Sequence, residues 1–157
     1  GPEVAFSICT RPDTRGRWYG ANLVELFHDN KGKVEPGALY HCHHGKVLFP
    51  YEIVDWRPGQ YATGRYNLPM GITLYETNEF LPVGEGTMVK VRFAKATSPK
   101  FSGKLMAGMV NKKVKGYIQP DLGNRADRLQ EICRGWLSED PTLGEVSKGP
   151  DEGTIAR

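Results

Sequence analysis

Between Gly37 and Ala96 five runs rich in β-branched and aromatic residues follow one another, separated only by short clusters of turn-forming residues. This spacing constrains the topology more than any other feature. Parallel neighbours need crossovers of about a dozen residues or more, so strands joined by such short connections pair antiparallel, as a meander. The connections are His44-Gly45-Lys46, Arg57-Pro58-Gly59, Leu68-Pro69-Met70-Gly71 and Pro82-Val83-Gly84-Glu85-Gly86. They place predicted strands at 38–44, 47–56, 60–67, 72–81 and 87–96.

The flanks are helical. Pro2-Glu3 before Val4, Ala5, Phe6 and Ile8 reads as a short helix that stops by Thr10-Arg11-Pro12-Asp13, since the residue before a proline is pushed out of the helical region. Leu23, Val24, Leu26 and Phe27 suit a second short helix within Trp18–Phe27, or a loop with an aromatic anchor. Beyond Ser98-Pro99 the apolar spacing becomes helical again, with Pro120 expected to kink or restart the segment. Its strongest stripe runs through Leu122, Ala126, Leu129, Ile132 or Cys133, and Trp136, inside a helix at about 121–138. Glu139 to Arg157 has no periodicity and reads as a flexible tail, leaving one domain over residues 3–138.

Composition excludes several classes. The 39% apolar and 25% charged content is that of an ordinary globular chain, and no apolar run reaches the roughly 20 residues of a membrane span. A net charge of +3 with scattered positive residues does not argue for nucleic acid. The Lys112-Lys113-Val114-Lys115 cluster has the look of a helix face rather than a basic arm. Three widely spaced cysteines, Cys9, Cys42 and Cys133, argue against a disulfide framework and for a reducing, cytoplasmic compartment. Phosphate loops, CxxC pairs, nucleophile elbows and dinucleotide fingerprints are absent, so no cofactor is expected.

The fourth predicted strand is the most informative. Alternation puts Ile72, Leu74 and Phe80 on one face, with Glu76 and Asn78 in the same register. Polar groups on an apolar face cost free energy unless something pairs with them, so the two residues mark a polar spot in a cavity. A bulge would instead turn Tyr75 and Glu79 inward. The second strand sets Phe49, Tyr51 and Ile53 against Glu52, Val54 and Trp56, and the fifth sets Val89, Val91 and Phe93 against Met88, Lys90 and Arg92. Tyr40, Tyr51, Tyr61, Tyr66, Tyr75 and Tyr117 offer an apolar body with a hydroxyl to orient a ligand, though tyrosine also simply favours strands. Arg65 and Arg92 are expected to meet surface acids rather than Glu76. His41 and His43 share a face with Glu52 near them, but no third ligand is fixed by spacing, so they read as structural and no metal is expected. Cys42 reads as a small buried residue.

The segments Gly37-Ala38-Leu39-Tyr40-His41-Cys42-His43-His44-Gly45, Glu52-Ile53-Val54-Asp55-Trp56-Arg57-Pro58 and Thr73-Leu74-Tyr75-Glu76-Thr77-Asn78-Glu79-Phe80 carry a family resemblance. Together with the element order they resemble the START-like, or SRPBCC, helix-grip domains related to polyketide cyclases. The resemblance covers about residues 3–138 and implies an α+β fold, a curved antiparallel sheet wrapped around a long C-terminal helix. Members normally open with a strand, which nothing before Pro2 supplies. Gly1-Pro2 has the form of a cleaved-tag scar, so two readings stand: the natural chain extends upstream, or the sheet closes its edge differently. An edge left open by the missing strand invites a dimer or a partner domain.

The resulting functional expectation is a binding module for a small apolar or amphipathic ligand. Tyr40, Tyr51, Tyr75, Glu76, Asn78, Arg92, Leu129 and Trp136 are its candidate lining residues. A cyclase- or aromatase-like enzyme using Glu76, Tyr75, Arg92 or His41 as acid–base groups is the alternative. A regulatory or interaction domain of a larger protein is the third reading.

Overall fold

Among the described residues, short turns and alternating patterning produce six antiparallel strands in chain order. The computed structural model describes residues 1–21, 23–28 and 34–139. Two helices open the chain, α1 (Pro2–Thr10) and α2 (Pro12–Tyr19). The sheet follows as β1 (Leu23–His28), β2 (Leu39–His44), β3 (Val47–Arg57), β4 (Tyr61–Leu68), β5 (Ile72–Val83) and β6 (Gly86–Phe93). Each strand pairs with the next, in the order β1-β2-β3-β4-β5-β6. Among the described residues β6 pairs with β5 alone, so its far edge is open. Helix α3 (Phe101–Lys113), a π-helical turn (Val114–Ile118) and α4 (Gln119–Glu139) complete the fold.

The second helix lies earlier than the apolar spacing suggested. Pro12 stands in the first turn of α2, and Gly20 at φ 72° ends it in the left-handed conformation. Leu23–His28 is then free to extend, and it pairs along β2 from Leu23 opposite His43 to His28 opposite Leu39. The C-terminal helix restarts at Pro120 as expected, with the π turn absorbing the break before it. The tail expected after Glu139 lies outside the described residues, as do the side chains of Tyr117 and Leu122.

A second correction concerns β3. Its pairing with β4 steps from Ile53–Gly64 to Asp55–Thr63, so Val54 is an extra residue in a bulge. The bulge shifts the side-chain phase. Trp56 therefore joins Tyr51 and Ile53 on the concave side, where its ring lies 5.3 Å from that of Phe6. No register shift interrupts β5, which alternates as read: Ile72, Leu74, Glu76, Asn78 and Phe80 are buried and Tyr75 is exposed.

The main core forms where α1 and α2 enter the concave side of the sheet. Phe6, Ile8, Cys9 and Trp18 pack with Ala62 and Phe80, and α4 closes the cluster with Leu129 and Ile132. Trp136 is only half-buried at its margin, with the Arg11 guanidinium 5.1 Å from its ring centre. Burial, and not side-chain size, should rank these α4 residues. Ile132→Ala is expected to cost about 2–5 kcal/mol in urea unfolding, as for a buried aliphatic truncation. Trp136→Ala should cost less than Ile132→Ala; the reverse order would mean that Trp136 anchors the helix.

Candidate functional site

The floor of the concave side is a buried charged cluster. Glu76 projects from the middle of β5 and is 0% exposed, and Arg15 reaches it from α2 while itself 2% exposed. Arg15 Nη2 lies 3.3 Å from Glu76 Oε1. Asn78 donates its amide to the same oxygen at 2.8 Å, and the Tyr66 hydroxyl donates to Oε2 at 2.9 Å. The Tyr19 hydroxyl donates to Oε2 as well. Arg15 also donates to the Cys9 carbonyl and the Tyr66 hydroxyl, which fixes the guanidinium between helix and sheet.

Aromatic rings enclose this pair. The guanidinium carbon lies 3.9 Å from the Tyr51 ring centre and 4.4 Å from that of Tyr19. Tyr51 stacks on Tyr40 at 5.9 Å, and the Tyr40 hydroxyl donates to the Thr10 carbonyl at 2.8 Å, holding the end of α1. Gly64 makes the arrangement sterically feasible. A Cβ there would come within 1.9 Å of the Tyr51 ring, so the ring occupies the space of the missing side chain.

Electrostatics follow from this enclosure. Burial opposes the charge on Arg15, but Tyr51, Glu76, Tyr66 and Tyr19 outweigh it, and the guanidinium pKa is held well above its ordinary value. Burial first, then the nearby Glu76 charge, pushes the Tyr19 and Tyr66 hydroxyls far above the usual phenol range. Burial likewise raises Tyr40 and Tyr51. The Cys9 and Cys42 thiols are raised by burial too, so neither is poised as a thiolate.

The structure thus gathers Tyr40, Tyr51, Glu76 and Asn78 in one place, and partners from the chain itself satisfy the Glu76 carboxylate. Sequence reasoning missed Arg15 and Tyr19, and singled out Tyr66 only as one of the strand tyrosines. One signal was available: a carboxylate forced onto an apolar face demands a buried cation, and Arg15 shares α2 with two aromatic residues. Tyr75 and Arg92 point to the convex side, where Arg92 pairs with Glu79 at 2.6 Å and Arg65 pairs with Glu52. His43 faces Glu25 at 3.2 Å. Among the described residues no three histidine, cysteine or acidic side chains converge as a metal site would require.

Open space lies to one side of the cluster, between β6 and α4. A groove of about 160 Å³ is lined by Trp18, Thr87, Val89, Val91, Arg125 and Leu129. It adjoins a second, of about 390 Å³, that shares Thr87, Val89 and Leu129 and extends past Val4 and Cys133 to the β5–β6 hairpin. Arg125 is buried and stacks 4.4 Å over the Tyr19 ring, linking groove and cluster. The Trp18 indole N–H and the Thr87 hydroxyl are buried here without a hydrogen-bond partner.

No protein-family model matches the chain, and no curated protein does. Solved structures do. A Staphylococcus aureus protein of unknown function, SA2116, superposes with a TM-score of 0.65 at 12% identity, over 88% of this chain and 89% of that one. MLL2253 from Mesorhizobium loti gives 0.57 at 14% identity, over 83% and 89%. DynU16, a protein of the dynemicin biosynthetic locus, gives 0.54 at 15% identity, over 82% of this chain and 43% of that one. At such identities the likeness shows the fold: an antiparallel sheet with a C-terminal helix, as the START-like resemblance implied.

Two predictions arise from the cluster. Removing one partner of a buried ion pair strands the other charge, so Arg15→Met should cost about 3–5 kcal/mol in urea unfolding. A loss below about 1 kcal/mol would show that water reaches Glu76. The raised tyrosines set a pH limit. Their contribution is present below about pH 10, where unfolded tyrosines ionise, and is lost as the pH rises through the higher folded values. In an ultraviolet titration Tyr19, Tyr40, Tyr51 and Tyr66 should ionise only as the chain unfolds cooperatively. Gradual ionisation of all seven tyrosines in a folded protein would contradict the enclosure.

Proposed function

We propose that the chain is a START-like binding module that holds a small amphipathic molecule in the groove between β6 and α4. The observation that carries this reading is the pair of buried, unpartnered polar groups, Trp18 Nε1 and Thr87 Oγ1, beside the apolar side chains of Val89, Val91 and Leu129. A buried polar atom left without a hydrogen bond costs about 1–3 kcal/mol, which a ligand's acceptor would recover. The Arg125 guanidinium lies at the same place, so a carboxylate or carbonyl end suits it best.

This reading moves the polar end of the ligand away from Glu76 and Asn78. Those residues act one layer behind, holding Tyr19, over which Arg125 stacks. Leu129 remains a lining residue, whereas Trp136, further along the same stripe of α4, packs half-buried at the margin of the core. The cyclase-like alternative draws no comparable support, because the Glu76 carboxylate is enclosed and both its oxygens are already engaged.

The test is a titration with an apolar fluorescent dye, and with fatty and aromatic carboxylates that compete for it. Leu129→Trp, which fills the groove, should abolish dye binding. Arg125→Met should keep the dye but weaken the carboxylates by about tenfold, the order expected for losing a charge-assisted hydrogen bond. Unchanged binding in the filled variant would place the ligand elsewhere, and no binding by the wild type would remove the reading.

A further inference from the structure

Helix α3 has two apolar faces, and among the described residues only one of them has a partner. Gly103, Met106, Ala107 and Val110 turn inward, towards Ile72, Leu74 and Ala96. Gly103 seats the first turn: a Cβ there would come within 2.6 Å of the Met70 carbonyl and 2.1 Å of Ser98 Oγ. On the opposite side Phe101, Leu105 and Met109 recur every fourth residue, one stripe along the helix, and are 91%, 76% and 54% exposed. Met70, held at φ 65° against this first turn, adds a further exposed apolar side chain. Isolated exposed apolar residues are ordinary, but a continuous stripe marks a contact surface.

Charge identifies what the stripe meets. From Ala94 to Pro120 the sequence holds six lysines, Lys95, Lys100, Lys104, Lys112, Lys113 and Lys115, and no acidic residue. This one segment is more positive than the whole chain, whose net charge is +3. All six are exposed, and Lys104, Lys112 and Lys113 flank the apolar stripe on the helix surface. We propose that α3 docks this face onto an anionic phospholipid surface, lying in the interface with Phe101, Leu105 and Met109 immersed and the lysines among the headgroups.

A protein partner fits the same face less well. The segment contains lysine and no arginine, and lysine is a hydrated point charge suited to a diffuse anionic layer. Protein interfaces favour arginine and deplete lysine. The stripe also stands out as a ridge, with Phe101 almost wholly exposed, and a fluid surface can accept a ridge without a matching groove. Docking is therefore expected to be reversible, salt-sensitive and dependent on both the apolar and the charged residues.

The experiment is flotation of the full chain with vesicles of phosphatidylcholine alone and of phosphatidylcholine mixed with phosphatidylserine. The wild type should float with the mixed vesicles and not with the neutral ones. Each lysine near the surface contributes about fivefold in affinity, so Lys104→Glu with Lys112→Glu should weaken binding by at least about 25-fold. Phe101→Ser with Leu105→Ser should abolish it while leaving the circular dichroism and melting temperature unchanged, because both residues are exposed. A Phe101→Trp variant should show a blue-shifted emission band on the mixed vesicles only. Equal flotation of the serine variant, or equal binding to neutral vesicles, overturns the proposal. Failure to float at all, with retention on an immobilised acidic apolar peptide, overturns it in favour of a protein partner.

Discussion

The Arg15–Glu76 pair is the interaction on which the rest of the architecture depends. A carboxylate in the middle of a sheet's concave face is tolerated only with a cation beside it and donors on its remaining lone pairs. Satisfying Glu76 draws α2 down onto β5, fixes Tyr19 and Tyr66, and sets the guanidinium over Tyr51. Helix α1 follows, since Arg15 also takes up the Cys9 carbonyl and Tyr40 takes up that of Thr10. The N-terminal helices are thereby oriented by polar contacts within an otherwise apolar core.

With that interior occupied, room for another molecule is displaced sideways. Trp18, fixed by its place in α2, becomes the wall shared by the packed core and the groove beside α4. The open edge of β6 lies along the same groove. Its outward-facing residues Lys90 and Arg92 place charge at alternate positions, a device that discourages edge-to-edge pairing between copies.

Much of the fold was legible because antiparallel meanders advertise themselves through short turns and period-two patterning. The strands from β2 to β6, the restart at Pro120 and the inward phase of β5 all follow from such local signals. What escaped were features decided at a distance. Leu23–His28 has no alternation strong enough to separate strand from helix, and β2 decides the matter by pairing with it. The bulge at Val54 leaves no mark in a run of residues that suit either face, yet it sends Trp56 inward. At the candidate site Glu76 and Asn78 were readable as anomalies. Their partner was not, because Arg15 lies 61 residues away and looks like any surface arginine on a short helix.

Gly64 is constrained from outside its own strand. Its backbone needs no unusual angle; the Tyr51 ring on the neighbouring strand simply fills the volume that a side chain would take. The two positions therefore behave as a single unit of sequence variation. A larger residue at 64 becomes tolerable only after Tyr51 has shrunk, and a shrunken residue at 51 leaves a void that a larger one at 64 can fill. Among natural relatives that keep this cluster, positions 51 and 64 should covary in size, and the intermediates between the two solutions should be scarce because either single step damages the seat of Arg15.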